Sequence, residues 1–200
     1  MNTNIRFPPK VSVVAASLAL AASLAGCTEC TWQMGSCLWP RTWQKDFAGW
    51  GDLPPELHPD ARETPLLSYW ALGDQIYACK AGANGTPAWT FVGPEADLFD
   101  AKGTKTVDHG AGPSWEHRDG SKVVGSVSQR VDARAEGAIP WLLLSATSVG
   151  GPGVLASVTS IQRINTRGGI APAQGCSRAS DIGTQARVPY AAVYIFYAAQ

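Results

Sequence analysis

The fold is decided by the stretch Arg187-Val-Pro-Tyr-Ala-Ala-Val-Tyr-Ile-Phe-Tyr-Ala198, which is dense in aromatic and β-branched residues. Residues of these types favour extended strands. Further short runs of similar character lie upstream and are separated by turn-forming residues: Leu66–Leu72, Gln75–Cys79, Trp89–Val92, Lys122–Val131, Trp141–Thr147 and Val154–Asn165. This spacing predicts an all-β single domain, either a β-sandwich or a partly closed barrel, with one or two short helices.

Glycine marks most of the predicted turns. Gly73-Asp74 predicts a hairpin between the first two runs, and Gly93-Pro94 is expected to end the run that starts at Trp89. Asp100–Gly103 predicts a type I turn, and Asp119-Gly120 predicts another before Lys122. The short helix is expected around Cys176–Asp181.

The N-terminus has the pattern of an export signal. Arg6 and Lys10 precede an apolar run over 11–25 that is too short to span a bilayer comfortably. The run ends in Leu24-Ala25-Gly26-Cys27, which resembles the lipobox of bacterial lipoproteins. The resemblance implies lipidation of Cys27 with acyl chains such as palmitate, and cleavage before it. The alternative is an ordinary cleaved signal followed by an incidental cysteine.

The lipobox divides the chain into a signal peptide (1–26), a lipidated stem rich in Trp and Cys (27–60) and a β-rich domain (61–200). The expected location is the cell membrane or the outer membrane, with the domain in the periplasm or at the cell surface. Thr28 follows the lipidated cysteine where an aspartate would indicate inner-membrane retention. The stem indoles are expected either to pack on the domain or to lie at the bilayer interface.

The charge composition of the chain restricts the classes of partner that it can bind. Beyond Cys27 the chain holds 14 basic and 16 acidic residues, and no basic run that would follow a phosphate backbone. Nucleic-acid binding is therefore not expected. The expected partners are the membrane, through the lipid anchor, and a glycan or an envelope protein.

Four cysteines follow Cys27, and an even number in an exported chain predicts disulfides. Four cysteines allow three pairings. The preferred pairing joins Cys79 to Cys176 within the domain and Cys30 to Cys37 within the stem. Among these four cysteines, no CxxC spacing indicates a zinc site.

The densest polar cluster runs from His109 to Ser121. One interpretation is a cell-envelope hydrolase in which Glu116 works with Glu95 or His109, since glycoside hydrolysis needs two carboxyl groups at a defined separation. The alternative, which we favour, is that these side chains orient a turn. His109 and His117 are weak candidates for a metal site, and the sequence predicts no cofactor.

A second group of residues could bind a ligand without catalysing a reaction. Trp115 offers a stacking surface and Asp119 an acceptor, while Arg163 and Asn165 lie at the end of a predicted strand. A guanidinium there suits carboxylate or sugar recognition. It equally suits a buried ion pair with Glu95 or Glu116, which is the structural role that we favour. The leading functional hypothesis is a membrane-anchored envelope lipoprotein whose β domain binds a ligand or a protein partner.

From about Gln75 to the C-terminus, the chain resembles a family of exported microbial proteins described as domain of unknown function 3455. The resemblance rests on several stretches in order, among them Gln75-Ile-Tyr-Ala-Cys79, His109-Gly-Ala-Gly-Pro-Ser-Trp-Glu116 and Ile161-Gln-Arg-Ile-Asn-Thr166. It implies an exported domain and supports the bond between Cys79 and Cys176. It implies no activity.

Overall fold

The computed structural model describes residues 53–200. Within this part of the chain, eight strands account for the regular structure, together with two 3-10 turns at Pro55–Leu57 and Ala179–Asp181. The strands are β1 (Glu63–Ala81), β2 (Pro87–Phe99), β3 (Lys105–Gly110), β4 (Ser114–His117), β5 (Lys122–Val131), β6 (Trp141–Ser148), β7 (Val158–Gly168) and β8 (Gln185–Ala199).

The strands form a closed antiparallel barrel. Each strand pairs with the next, and β8 returns to pair with β1. Trp70, for example, lies opposite Phe99 of β2 on one side and Val193 of β8 on the other. The all-β prediction is confirmed, and of the two predicted architectures the chain adopts the barrel, with full closure. Closure leaves no sheet edge open to pairing with another chain.

The predicted hairpin at Gly73-Asp74 is wrong, because β1 runs without interruption from Glu63 to Ala81. Gly73 lies in mid-strand opposite Ala96 of β2. A Cβ atom at Gly73 would lie 2.6 Å from the Cβ of Ala96 and would overlap the carbonyl oxygen of Glu95. This glycine therefore allows β1 and β2 to approach closely and does not form a turn.

The expected strand end at Gly93-Pro94 is also wrong, since β2 continues to Phe99. Pro94 lies opposite Gln75 of β1, but β2 pairs with β3 only from Ala96 onward. On the side of β2 that faces β3, Pro94 therefore interrupts no backbone hydrogen bonds by lacking an N–H. Strands tolerate proline at such unpaired positions.

One end of the barrel, here called the plugged end, is filled by its own loops. Leu155 is fully buried in the core cluster there. The carboxylate of Asp119 accepts hydrogen bonds from the backbone N–H groups of Ser121 and Val154, each at 2.9 Å, and the backbone N–H of Leu155 donates to the Ser121 hydroxyl at 3.1 Å. The loops at this end span 100–104, 118–121 and 149–157.

The predicted bond between Cys79 and Cys176 is confirmed, with Cα atoms 5.5 Å apart. It ties the long loop that connects β7 and β8 to the last part of β1. The same loop is also held by the Trp89 indole, which donates to the carbonyl oxygen of Gln174 at 3.0 Å. The predicted helix around Cys176–Asp181 is only the 3-10 turn Ala179–Asp181.

The signal peptide, Cys27 and the predicted bond between Cys30 and Cys37 lie outside the described residues. Within 53–200, no helix has the length and apolar character needed to cross a membrane.

Candidate functional site

The end of the barrel opposite the plugged end, here called the open end, contains a cavity of about 700 Å³. Eight-stranded barrels are just wide enough to be filled by side chains or to hold one small ligand. Most of the wall is apolar and is contributed by Phe91, Val92, Val127, Ile139, Leu142 and Leu144. Three of these side chains, at 91, 92 and 127, are about half exposed, so the cavity has an apolar rim.

Aromatic rings form a stacked cluster at the cavity wall. The His109 and Trp115 rings stack with centroids 4.4 Å apart, and the Tyr194 ring meets His109 edge-on at 5.1 Å. Gly125 makes room for this stack, because a Cβ there would lie 2.9 Å from the Trp115 indole. The cluster combines β3, β4, β5 and β8.

His109 is neutral in this setting. Its Nδ1 lies 2.8 Å from the carbonyl oxygen of Ser114, which can only accept, so Nδ1 carries the proton. Nε2 then accepts from the Tyr194 hydroxyl at 3.1 Å. Burial lowers the pKa of His109 to about 3, and the positive charge of Arg163 also lowers it. The ring is therefore uncharged at physiological pH.

Further polar groups adjoin this cluster. The side-chain amide of Gln75 lies beside the Tyr190 hydroxyl, yet neither the amide nitrogen nor the hydroxyl forms a well-directed hydrogen bond. The indole nitrogen of Trp115 is also buried without a partner. Burial raises the pKa of Tyr190 well above its ordinary value, which keeps the phenol protonated. These groups add unused hydrogen-bonding capacity beside an apolar cavity.

Arg163 contributes a positive charge to the wall. Its Nε and Nη2 donate to the carbonyl oxygen of Pro140 at 3.2 and 2.9 Å. The ion pair that we favoured from the sequence is not formed, because Glu95 pairs with Arg187 and Glu116 pairs with Lys122. The structure instead brings Arg163, His109 and Trp115 to one cavity.

Glu95 and Glu116 lie outside the barrel, on a groove of about 590 Å³. Trp115 and Glu116 are neighbours in β4, and alternation places the indole inside and the carboxylate outside. Both carboxylates are more than half exposed and ion-paired. The general acids of glycosidases are usually sheltered in apolar surroundings, which neither carboxylate has. The groove thus gathers the predicted hydrolase carboxylates without the environment for acid catalysis.

The remaining candidates lie away from the cavity. Asp119 belongs to the hydrogen-bond network at the plugged end, and its hydrogen bonds to Ser121 and Val154 hold its pKa below the usual range. Asn165 adopts a left-handed backbone conformation (φ 51°) near a bulge of β7. His117 lies 2.9 Å from the Asp119 carboxylate, on the same face of β4 as Trp115 but at the end of the strand nearer the plugged end. Among residues 53–200, no group of three His, Cys, Asp or Glu side chains is placed to hold a metal ion.

Gln75 and Tyr194 line the cavity and Tyr190 adjoins Gln75, and the sequence analysis named none of these three as a site residue. Burial along β8 is nearly continuous from Tyr190 to Tyr197, so the sequence gives no clean alternation between faces. The signal that remained was the spacing of 190, 194 and 196, which places three aromatic rings on one face with Ala192 between them.

Neither the search of curated proteins nor the search of solved structures found a match. A scan against protein families matches residues 59–198, which include all eight strands except the last residue of β8. The family is described only as "Protein of unknown function (DUF3455)", in agreement with the resemblance drawn from the sequence. The chain belongs to this family of proteins of unknown function.

Proposed function

We propose that this domain binds one small organic molecule in the cavity at the open end of the barrel. The observation that carries the proposal is the cavity itself, whose volume of about 700 Å³ falls within the ordinary range of ligand pockets. Its wall follows the usual plan of such pockets, an apolar lining with a few polar groups. Among residues 53–200, we find no comparable feature that favours the predicted protein partner.

A ligand inside the barrel is favoured over a glycan stacked on exposed indoles. Trp115 and Trp141 are 1% and 4% exposed, and the Trp89 indole is engaged with the loop between β7 and β8. These three rings therefore do not offer an open stacking platform. The exposed carboxylates, held in ion pairs, also favour a binding module over the hydrolase alternative.

Membrane attachment through Cys27 is the second part of the proposal. The lipobox supports it, and the bond between Cys79 and Cys176 is compatible with export to an oxidising compartment. Several acyl chains would hold the protein stably, whereas a single chain holds only marginally. Metabolic labelling with an alkyne analogue of palmitate should mark the wild-type chain and leave a Cys27→Ser variant unmarked. An unmarked wild type would rule out the anchor.

Binding is tested on the full chain carrying Cys27→Ser, so that no acyl chain competes for the cavity. Isothermal titration with decan-1-ol and with decanoate should show about one bound molecule per chain for at least one probe. Val127→Trp, at the half-exposed rim, should weaken binding at least tenfold because the indole obstructs the entrance.

Val149→Trp is the matched control, since Val149 is equally exposed but lies in a loop of the plugged end. Its affinity should equal that of the parent chain. The proposal fails if neither probe binds, or if both tryptophan variants affect binding equally.

A further inference from the structure

Within residues 53–200, the cavity wall carries positive charge and no negative charge. The lining from this part of the chain includes Arg163, inside the barrel, and Arg130, which is exposed, but no Asp or Glu side chain. His109 adds no charge, because burial keeps it neutral. A ligand that enters this cavity therefore meets an uncompensated positive potential.

Arg163 has no carboxylate partner among residues 53–200. The carboxylates there that form salt bridges with Lys or Arg pair with Arg62, Lys105, Lys122 and Arg187, among others, and not with Arg163. Burial raises the pKa of Tyr77 and of Tyr194 within the barrel, and the positive charge of Arg163 offsets part of that rise. A part-buried guanidinium whose hydrogen-bond partners, the Pro140 carbonyl and the Tyr194 hydroxyl, are both neutral is costly unless an anion joins it.

The acceptors of two cavity-lining residues, His109 and Pro140, are already engaged by donors. The Trp115 indole nitrogen, a donor only, has no partner, and Nε2 of His109 already accepts from Tyr194. The carbonyl oxygen of Pro140 already receives two guanidinium N–H groups. Because the acceptors are engaged and a donor lacks a partner, a ligand group that only accepts hydrogen bonds suits this part of the wall. A group that only donates does not.

We infer that the ligand is a small amphipathic organic acid, whose carboxylate binds at Arg163 and whose apolar body lies against Leu142 and Leu144. This inference rests on the proposed function and adds the chemical class of the ligand. Arginine suits the role because its fixed fork of N–H groups can bind both oxygens of a carboxylate. The half-exposed rim formed by Phe91, Val92 and Val127 suits the outer part of an apolar chain.

The test compares decanoate with decan-1-ol, two probes with the same chain length and different head groups. In the full chain with Cys27→Ser at pH 7.5, decanoate should bind at least tenfold more tightly, the scale of charge-assisted hydrogen bonds. Arg163→Gln should remove that preference and leave the affinity for decan-1-ol within about twofold. Arg187→Gln, which removes an arginine on the outer surface, should leave both affinities unchanged.

Arg163→Lys is the second variant, because it keeps the charge and serves if the glutamine variant does not fold. It should retain a reduced preference for decanoate, since lysine lacks the planar fork. The inference is overturned if decan-1-ol binds and decanoate binds no more tightly, a result that leaves the proposed function standing. It is also overturned if a folded Arg163→Gln variant keeps the full preference. Binding of neither probe would instead refute the proposed function.

Discussion

The Tyr194 hydroxyl donates a hydrogen bond to Nε2 of His109 across 3.1 Å, which joins β8 to β3 inside the barrel. The two residues are 85 positions apart in the sequence. The bond requires a neutral imidazole, because a protonated ring has no lone pair to accept it. The interior of the barrel is therefore built around the uncharged form of His109.

This arrangement predicts a loss of stability in mild acid. The ring takes up a proton near pH 6.5 in the unfolded chain but only near pH 3 in the barrel. Between these values the unfolded state binds more protons, so its free energy falls relative to the native state as pH drops. Urea unfolding should show the free energy of unfolding decreasing by about 2 kcal/mol from pH 6.5 to pH 5.

Two variants test whether His109 causes this loss of stability. His109→Gln should flatten the profile between pH 5 and pH 7, because it removes the titrating group. His58→Gln, at an exposed position, should retain the parent slope. An unchanged slope in the His109 variant would show that the acid sensitivity arises elsewhere.

Gly73 provides a test of strand packing. Gly73→Ala should destabilise the barrel by about 3 kcal/mol, because the added methyl group meets the backbone of β2 and neither strand can move aside easily. Gly110→Ala is the matched control, since its Cβ would meet nothing closer than the Ser114 hydroxyl oxygen at 3.7 Å. Its unfolding midpoint in urea should barely shift. Equal shifts in both variants would show that the cost is not steric.

Sequence patterns predicted the elements whose cause is local. The bounds of β5 were predicted correctly, and so was the turn at Asp100–Gly103, in which Gly103 adopts a positive φ. The continuity of β1 was not predictable, because a glycine that marks a turn and a glycine that admits a neighbouring strand look the same in one sequence. Only the pairing of β1 with β2 distinguishes them.

In the candidate site too, features with a local cause were predictable and those that depend on distant contacts were not. His109, Trp115 and Arg163 were named as candidates because their chemistry is visible in the sequence, and the structure places all three at one cavity. Their grouping was misassigned, since Glu116 adjoins Trp115 in the chain but lies on the other side of the wall. Tyr194 was missed because its contact with His109 depends on closure of the barrel, which no local pattern encodes.

The plugged end can be tested with two adjacent residues. Leu155→Ala should cost about 3 kcal/mol, because Leu155 is fully buried and its truncation leaves a cavity in the core. Val154→Ala should cost less than about 0.5 kcal/mol, since that side chain is 41% exposed. Chemical denaturation of both variants measures the difference. Similar losses would mean that the loop, and not the leucine side chain, closes this end.

The bond between Cys79 and Cys176 closes a loop of 97 residues. In the chain-entropy model, a loop of this length stabilises the native state by about 4 to 5 kcal/mol, because the unfolded chain loses freedom. The double variant Cys79→Ala, Cys176→Ala should lose a comparable amount in urea unfolding. The folded loop between β7 and β8 should remain in place, because Cys79 also exchanges backbone hydrogen bonds with Gly183 and Thr184 at 2.9 Å.

Reduction of the parent chain is the independent check on this value. A thiol reductant should lower the free energy of unfolding of the parent to that of the double variant, and its effect on the double variant measures any contribution of the remaining cysteines. If the double variant unfolds at the same urea concentration as the parent, the bond does not stabilise the barrel. The stabilisation would then come from the hydrogen bonds that already hold the loop to β1, including the one from the Tyr77 hydroxyl to the carbonyl oxygen of Gly169 at 2.7 Å.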